Sequence, residues 1–262
     1  MVSSQPGPRL NDFDGIADVY DELVDWAPYD VWLADLEKRL RRWGLKPGDL
    51  ILDAACGTGL STLPWVRMGY HVVGADGSEA MLGRARERMK QAGYEVEFAC
   101  QDLLALDFGR QFDAAVCMHS GLDYILDDEL LERAFRSLRA CLKPGGLLAF
   151  DKCLDEPSFY REDYCDSREL SCGSAQFDYR WDRCRRLLEQ RCTVWRRRGK
   201  GPRRTEVVYR LKAVPPDQLV AMVEGAGFTT LEQPKQFTVP DPGMGIFRAV
   251  PRMARSRDGH AA

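Results

Sequence analysis

Leu50-Ile51-Leu52-Asp53-Ala54-Ala55 is an apolar run closing on small residues, and it opens into Cys56-Gly57-Thr58-Gly59, a loop with two glycines. A short apolar run bounded by turn residues suits a strand buried on both faces. Glycines just beyond it let backbone approach a ligand with no Cβ in the way. A helical stretch to Met68 follows and Gly69 stops it, so the first unit reads as strand, loop, helix. In an open parallel sheet a ligand lies beyond the carboxyl ends of the strands where the winding reverses, which makes Asp53–Gly59 the first candidate for a site.

The same alternation continues outward. His71–Asp76 reads as the next buried strand, and Ser78 is placed to cap a helix running to about Gln91. Glu95–Cys100 and Asp113–Met118 read as strands; Leu131, Phe135, Leu138 and Leu142 mark a helix before the turn Pro144-Gly145-Gly146; Leu147–Asp151 is a further strand. Upstream, Trp32, Leu36, Leu40 and Trp43 fall on one helical face between Pro28 and Gly44. The rhythm breaks after Asp151. From Leu154 to Ala213 no helix-sized stripe occurs, but Leu187–Trp195 and Thr205–Leu211 read as two strands joined through Gly199-Lys200-Gly201-Pro202, an antiparallel insert. A helix over Pro216–Glu224, a Gly225-Ala226-Gly227 stop and strands near Phe228–Glu232 and Gly245–Val250 complete the pattern.

The expectation is an α/β protein: a doubly wound, mostly parallel seven-stranded sheet with an antiparallel β insert and an N-terminal helical lid. The expected segments are 1–44 (lid), 45–153 (core), 154–213 (substrate-side insert), 214–251 (rest of the core) and 252–262 (mobile tail), with residues 1–11 mobile as well. A chain of 262 residues fits one large domain carrying an insert. Its 37 basic and 40 acidic residues leave a net charge of −3, which supplies no global field for nucleic acid or an anionic membrane. No apolar run approaches the roughly 18 residues of a membrane span, and the start has no basic region followed by an apolar one, so a cytoplasmic protein is expected. Nine cysteines without close repeated spacing read as reduced thiols, and neither their spacing nor three histidines suggest a metal site.

Asp76 ends its strand 17 positions after Gly59, where a carboxylate can accept both hydroxyls of a ribose. Asp102, just past the third strand, is placed to accept from an exocyclic amino group, so the carboxylates outline a nucleoside site. A dinucleotide fold would need Gly-x-Gly-x-x-Gly and a P-loop would need Gly-Lys-Ser/Thr; both are absent.

With those alternatives removed, the chain resembles the class I S-adenosylmethionine-dependent methyltransferases. Asp53-Ala-Ala-Cys-Gly-Thr-Gly59 resembles their first motif, Asp76 their second-strand acid, Gln101-Asp102 their adenine-contacting pair and Leu142-Lys-Pro-Gly-Gly146 their turn after the fourth helix. One departure is Ala55, where the family usually has glycine. The resemblance implies a Rossmann-like fold, S-adenosylmethionine as cofactor and no metal. It implies cofactor contacts at Tyr20, Trp32, Asp53, Ala55, Gly57, Gly59, Asp76, Gly77, Met81, Gln101, Asp102, Leu103, Met118 and His119.

Ala17-Asp18-Val19-Tyr20-Asp21 and Pro28-Tyr29-Asp30-x-Trp32 are similar to a small-molecule subset that includes amino-sugar N-methyltransferases of antibiotic pathways; there the tyrosine matching Tyr20 lies over sulfonium and substrate. Tyr20, Tyr29 and Trp32 also read as the apolar face of a lid helix. Cys117 to Tyr124 lacks the Asn/Asp-Pro-Pro-Tyr/Phe signature of nucleic-acid amino methyltransferases. Within that segment His119 is placed to position the cofactor, to act as base or to form a hydrogen-bonded wall; Asp123 and Tyr124 are candidates to hold a substrate amine or hydroxyl. The expected catalytic set is Tyr20, His119 and Tyr124, with a small-molecule amine as acceptor. O-methylation of a phenol or alcohol, RNA methylation through the basic run Trp195–Arg204, and a catalytically silent cofactor-binding protein stay open, as does oligomeric state.

Overall fold

Residues 9–10, 12–154, 164–198, 201–235 and 243–250 are described by a computed structural model. The expected tail 252–262, residues 1–8 and 11 of the expected mobile start, and Gly199-Lys200 of the expected hairpin tip lie outside them.

In chain order the elements are β1 (Arg9–Leu10), a 3-10 turn (Asp14–Ile16), α1 (Tyr20–Leu23), α2 (Tyr29–Arg42), β2 (Leu50–Ala54), α3 (Thr62–Arg67), β3 (His71–Asp76), α4 (Glu79–Gln91) and β4 (Glu97–Cys100). A second 3-10 turn (Leu103–Ala105) leads to β5 (Phe112–Cys117), α5 (Asp128–Cys141) and β6 (Leu142–Phe150). Then come β7 (Tyr164–Leu170), β8 (Gly173–Asp182), β9 (Leu187–Arg198), β10 (Gly201–Lys212), α6 (Pro216–Gly225), β11 (Phe228–Glu232) and β12 (Gly245–Ala249). Local chemistry sets several boundaries. Ser78 caps α4 by accepting from the Met81 amide at 3.1 Å, and Asp127 caps α5 by accepting from the Leu130 amide at 3.0 Å.

The core sheet has the order β11-β12-β6-β5-β2-β3-β4, with β12 running against its neighbours. From β2 the chain winds one way to β3 and β4, then returns to place β5 on the other side of β2. The loops after β2 and β5 therefore leave the sheet side by side at the reversal, where an open α/β sheet forms a crevice. One face is covered by α5 and α6 around Phe135, Phe150 and Phe247; the other by α2 and α3 around Leu36, Trp65 and Ile51. Pro144-Gly145-Gly146, expected as a turn ahead of a strand, lies inside β6: Phe112 pairs with Leu142 and Ala114 with Leu147, so the intervening residues bulge out of the ladder.

A second sheet, β1-β10-β9-β8-β7, is antiparallel except for β1, which runs parallel to β10. It has two insert strands, β7 and β8, beyond the pair expected from sequence. β8 alternates buried and part-exposed residues from Gly173 to Phe177, so half its side chains are polar and it carries no apolar run. Ile16, Val19 and Leu23 pack onto this sheet against Phe177, Leu188 and Val207, which seats the N-terminal segment between the two sheets. Among the described residues no helix is long and apolar enough to cross a membrane.

Candidate active site

The loop after β2 is held from beneath. Asp53, fully buried, accepts from the Ser61 hydroxyl at 2.8 Å and the Thr62 hydroxyl at 2.6 Å through Oδ2. Burial pushes its carboxyl up to about 6, against the pull of those two hydroxyls. Ala55 then takes a left-handed backbone (φ 56°), a conformation costing an ordinary residue roughly 1–2 kcal/mol and glycine very little. Gly59 serves a packing need: a Cβ there would sit 3.2 Å from that of Ala85 on α4.

Asp76 closes the first half of the site. Its Oδ2 accepts from the Gly57 amide and its Oδ1 from the Ser78 amide, both at 2.9 Å, which fixes the carboxylate plane while leaving lone pairs for a ligand. Burial raises its proton affinity and these amides oppose the shift. Gly57 and Gly77 flank it, and a Cβ built on either meets no protein atom within 4 Å. That open space is part of a cavity of about 680 Å³. Of the residues expected to contact a cofactor, Tyr20, Ala55, Gly57, Asp76, Gly77 and Met81 line it; so do Gln101, Asp102, Leu103, Met118 and His119, together with Tyr124.

Three expected contacts do not line it. Asp53 lies under the loop, Gly59 faces α4, and Trp32 is core, with its ring 6.2 Å from that of His119. Gln101 is on the wall, but both ends of its amide are bonded to the Asp107 backbone at 2.8 Å, so it shapes the loop. Asp102 accepts from the Leu104 amide and remains exposed.

The N-terminal segment is latched over this cavity. Asp21 accepts from the Thr58 hydroxyl at 2.6 Å and pairs with Arg88, whose Nε donates to the Thr58 carbonyl at 2.9 Å; Ser78 bonds Asp14. Tyr20 and Tyr29 thereby reach His119, which follows β5. The Tyr29 hydroxyl lies 2.7 Å from His119 Nδ1 and the Tyr20 hydroxyl 3.5 Å from it, so Tyr29 is the hydrogen-bond partner in full. His119 and Ser120 both adopt left-handed backbone (φ 58° and 67°), and the Ser120 amide donates to Asp151 at 2.8 Å. Burial lowers the His119 imidazole to about 4, which leaves it neutral at pH 7.

Beyond Tyr20, His119 and Tyr124 lies a second chamber of about 190 Å³, between the core and the insert sheet. It shares those three residues and Phe13 with the first cavity. Its polar wall holds Asp151, Asp123 and Lys152; Lys152 Nζ is 2.8 Å from Asp123 Oδ1 with both side chains buried, and it also donates to the Lys212 carbonyl. Burial, then the nearby Asp123 carboxylate, pushes the Asp151 carboxyl up to about 7.

Asp151 and Tyr209 were not singled out in the sequence, and Asp21 was quoted only as part of the stretch around Tyr20. Asp151 had a signal, since it ends an expected strand at the same edge as Asp76 and His119. Tyr209 had none, and the latching role of Asp21 had none, because the second sheet and the latch are non-local.

A half-buried carboxylate fixed beside a glycine loop at the switch point of a doubly wound sheet is the arrangement of a nucleoside-binding site. Residues 51–146 match the methyltransferase domain family. The chain is 29% identical over 237 residues to a Geobacillus sp. (strain WCH70) protein provisionally named a methyltransferase, covering 88% of this chain and 94% of that one. Its fold is similar to that of the sugar N-methyltransferase KedS8 from Streptoalloteichus sp. (TM-score 0.78, 21% identity, covering 96% and 98% of the two chains). It is also similar to that of SAM-bound CalS10, an amino pentose methyltransferase from Micromonospora echinaspora (TM-score 0.67, 20% identity, covering 85% and 92%). These matches mark residues 51–146 as a methyltransferase domain and the protein as an S-adenosylmethionine-dependent enzyme.

Proposed function

We propose that the protein methylates the amine nitrogen of a small, hydroxylated molecule of the amino-sugar type, in secondary metabolism. The observation that carries this reading is the junction between the chambers. His119 stands there part-buried and neutral, lowered to about 4 and bonded by the Tyr29 hydroxyl, so this residue suits an acceptor that asks no strong base of it. An amine needs no strong base, because its free form attacks directly.

The first cavity fits the cofactor: the open space at Gly57 and Gly77 admits a ligand against the backbone, and Asp76 is fixed to receive the ribose hydroxyls. Bound there, S-adenosylmethionine supplies a methyl group on a sulfonium. Tyr20, at the shared wall, presents its ring to that cation and orients the acceptor. Tyr29 holds His119 in place, and Tyr124 closes the passage between the chambers. The latch through Asp21 and Asp14 keeps water from the junction.

The test is a competition assay. The enzyme is given labelled S-adenosylmethionine with amino sugars and the hydroxy sugars of matching skeleton, and separately with RNA. Label on nitrogen is expected; label on oxygen or in RNA refutes the reading.

A further inference from the structure

The polar wall of the second chamber contains two buried groups left without partners. Asp151 is 6% exposed; Oδ2 accepts from the Ser120 amide at 2.8 Å, and Oδ1 has no hydrogen-bond partner among the described residues. Tyr209, on β10, is 4% exposed, and its hydroxyl likewise has none. Buried polar atoms are nearly always bonded, so two orphans lining one small chamber mark a place where a ligand supplies the missing bonds. A carboxylate oxygen accepts and a neutral phenol donates or accepts; burial holds the Tyr209 hydroxyl well above its ordinary range and therefore protonated. Around them the chamber is aromatic, with the Phe13 ring 5.1 Å and the Tyr124 ring 6.1 Å from that of Tyr209. Aromatic faces and one unpaired carboxylate oxygen are a receptor for a compact organic cation.

We infer that Asp151 is the anchor for the ammonium group of the methyl acceptor and the recipient of its proton, and that the Tyr209 hydroxyl bonds a hydroxyl of the same molecule. This deepens the amine-methylation reading and rests on it. The acceptor enters as an ammonium ion and passes one N–H proton to Asp151, leaving a free amine and a carboxylic acid. The amine lone pair then forms the N–C bond to the methyl carbon as the C–S bond breaks, and that bond's electron pair stays on sulfur. The product leaves as the methylated ammonium ion, and the carboxylic acid releases its proton to water.

The groups facing Asp151 are consistent with that role. Asp123 is paired with Lys152 and still helps to raise Asp151, His119 is uncharged, and Tyr20, Tyr29 and Cys117 are held protonated by burial. Arg168, which also lines the chamber, is bonded to the Leu23 carbonyl at 2.8 Å and Asp25 at 3.3 Å. A carboxyl raised to about 7 is a far better proton acceptor than an ordinary aspartate and is still ionised in part at neutral pH.

The test uses 2-amino-1,3-propanediol and its neutral isostere glycerol as probes, with the full chain saturated by S-adenosylhomocysteine. At pH 7.5 the wild type is expected to bind the aminodiol at least tenfold more tightly than glycerol. Asp151→Asn keeps an oxygen for the Ser120 amide and should abolish that preference, as should pH 5.5. Tyr209→Phe should weaken both probes alike. Unchanged S-adenosylhomocysteine binding by Asp151→Asn certifies its fold. A preference that survives in Asp151→Asn, or is missing in the wild type, overturns the assignment. If the preference depends on Asp151 yet labelled methyl never reaches an amine, the cation subsite stands and the methylation reading falls. If wild type and Asp151→Asn methylate amines equally with the same pH profile, methylation stands and Asp151 has no part in it.

Discussion

Asp123→Asn should weaken the protein at the joint between its two sheets. Lys152 leaves the end of β6, bonds Asp123 in the loop after β5 at 2.8 Å and reaches the Lys212 carbonyl at the end of β10. Asp123 also accepts from the Cys153 amide at 2.9 Å, a bond that asparagine keeps, so the substitution removes charge and little else. Their side chains are 2% and 0% exposed, and a buried charge stripped of its partner costs about 3–5 kcal/mol. For a chain of this size that is a fall in Tm on the order of 10 °C. Asp123→Asn/Lys152→Met should recover most of the loss, because it removes the stranded charge along with its partner. Urea unfolding of the three proteins reads both effects. A single variant within about 1 kcal/mol of wild type would refute the reasoning, since the pair would then be open to water.

Asp76→Ala should weaken S-adenosylmethionine binding by about 1.5–3 kcal/mol in calorimetry, and an unchanged affinity would make Asp76 a loop support only. Tyr29→Phe leaves a part-buried imidazole nitrogen short of its bond and should cost about 0.5–1.5 kcal/mol of stability, whereas Tyr20→Phe, whose contact is 3.5 Å, should cost less than about 0.5 kcal/mol. Equal losses in unfolding titrations would contradict that ranking, and Tyr20→Ala is expected to cut turnover with little change in Tm. Asp151 has a carboxyl raised in the folded state to about 7, so its contribution to stability is present below about pH 4 and lost as pH rises through 7. Without ligand, Asp151→Asn should therefore be more stable than wild type by a few kcal/mol at pH 8, converging on it at pH 4; a difference constant with pH would oppose this.

The parts of the fold legible in the sequence were those written in local chemistry. His71–Asp76 is an apolar run between Gly69 and the cap Ser78, and the strand has those bounds. Residues Gly173–Phe177 carry a period of two with polar residues at every other position, and only pairing with β9 on one side and β7 on the other makes the pattern visible. At the site, Asp76 and His119 were legible because strand ends at a winding reversal are where ligands lie. Division of labour was not. Nothing in the sequence distinguishes Asp53, turned inward to two hydroxyls, from Asp76, turned outward to the cavity. Nor does it tell that Gln101 bonds its own loop, or that Tyr29 and not Tyr20 holds His119, since both depend on partners far along the chain.

A crystal structure of the full chain with S-adenosylhomocysteine and an amino-sugar acceptor tests the two-chamber site most directly. The cofactor ribose is expected at Asp76, with the acceptor in the chamber between the sheets and its nitrogen at the junction of Tyr20, His119 and Tyr124, aimed at the cofactor sulfur. An acceptor bound outside that chamber, or a hydroxyl in place of the nitrogen facing sulfur, would contradict it.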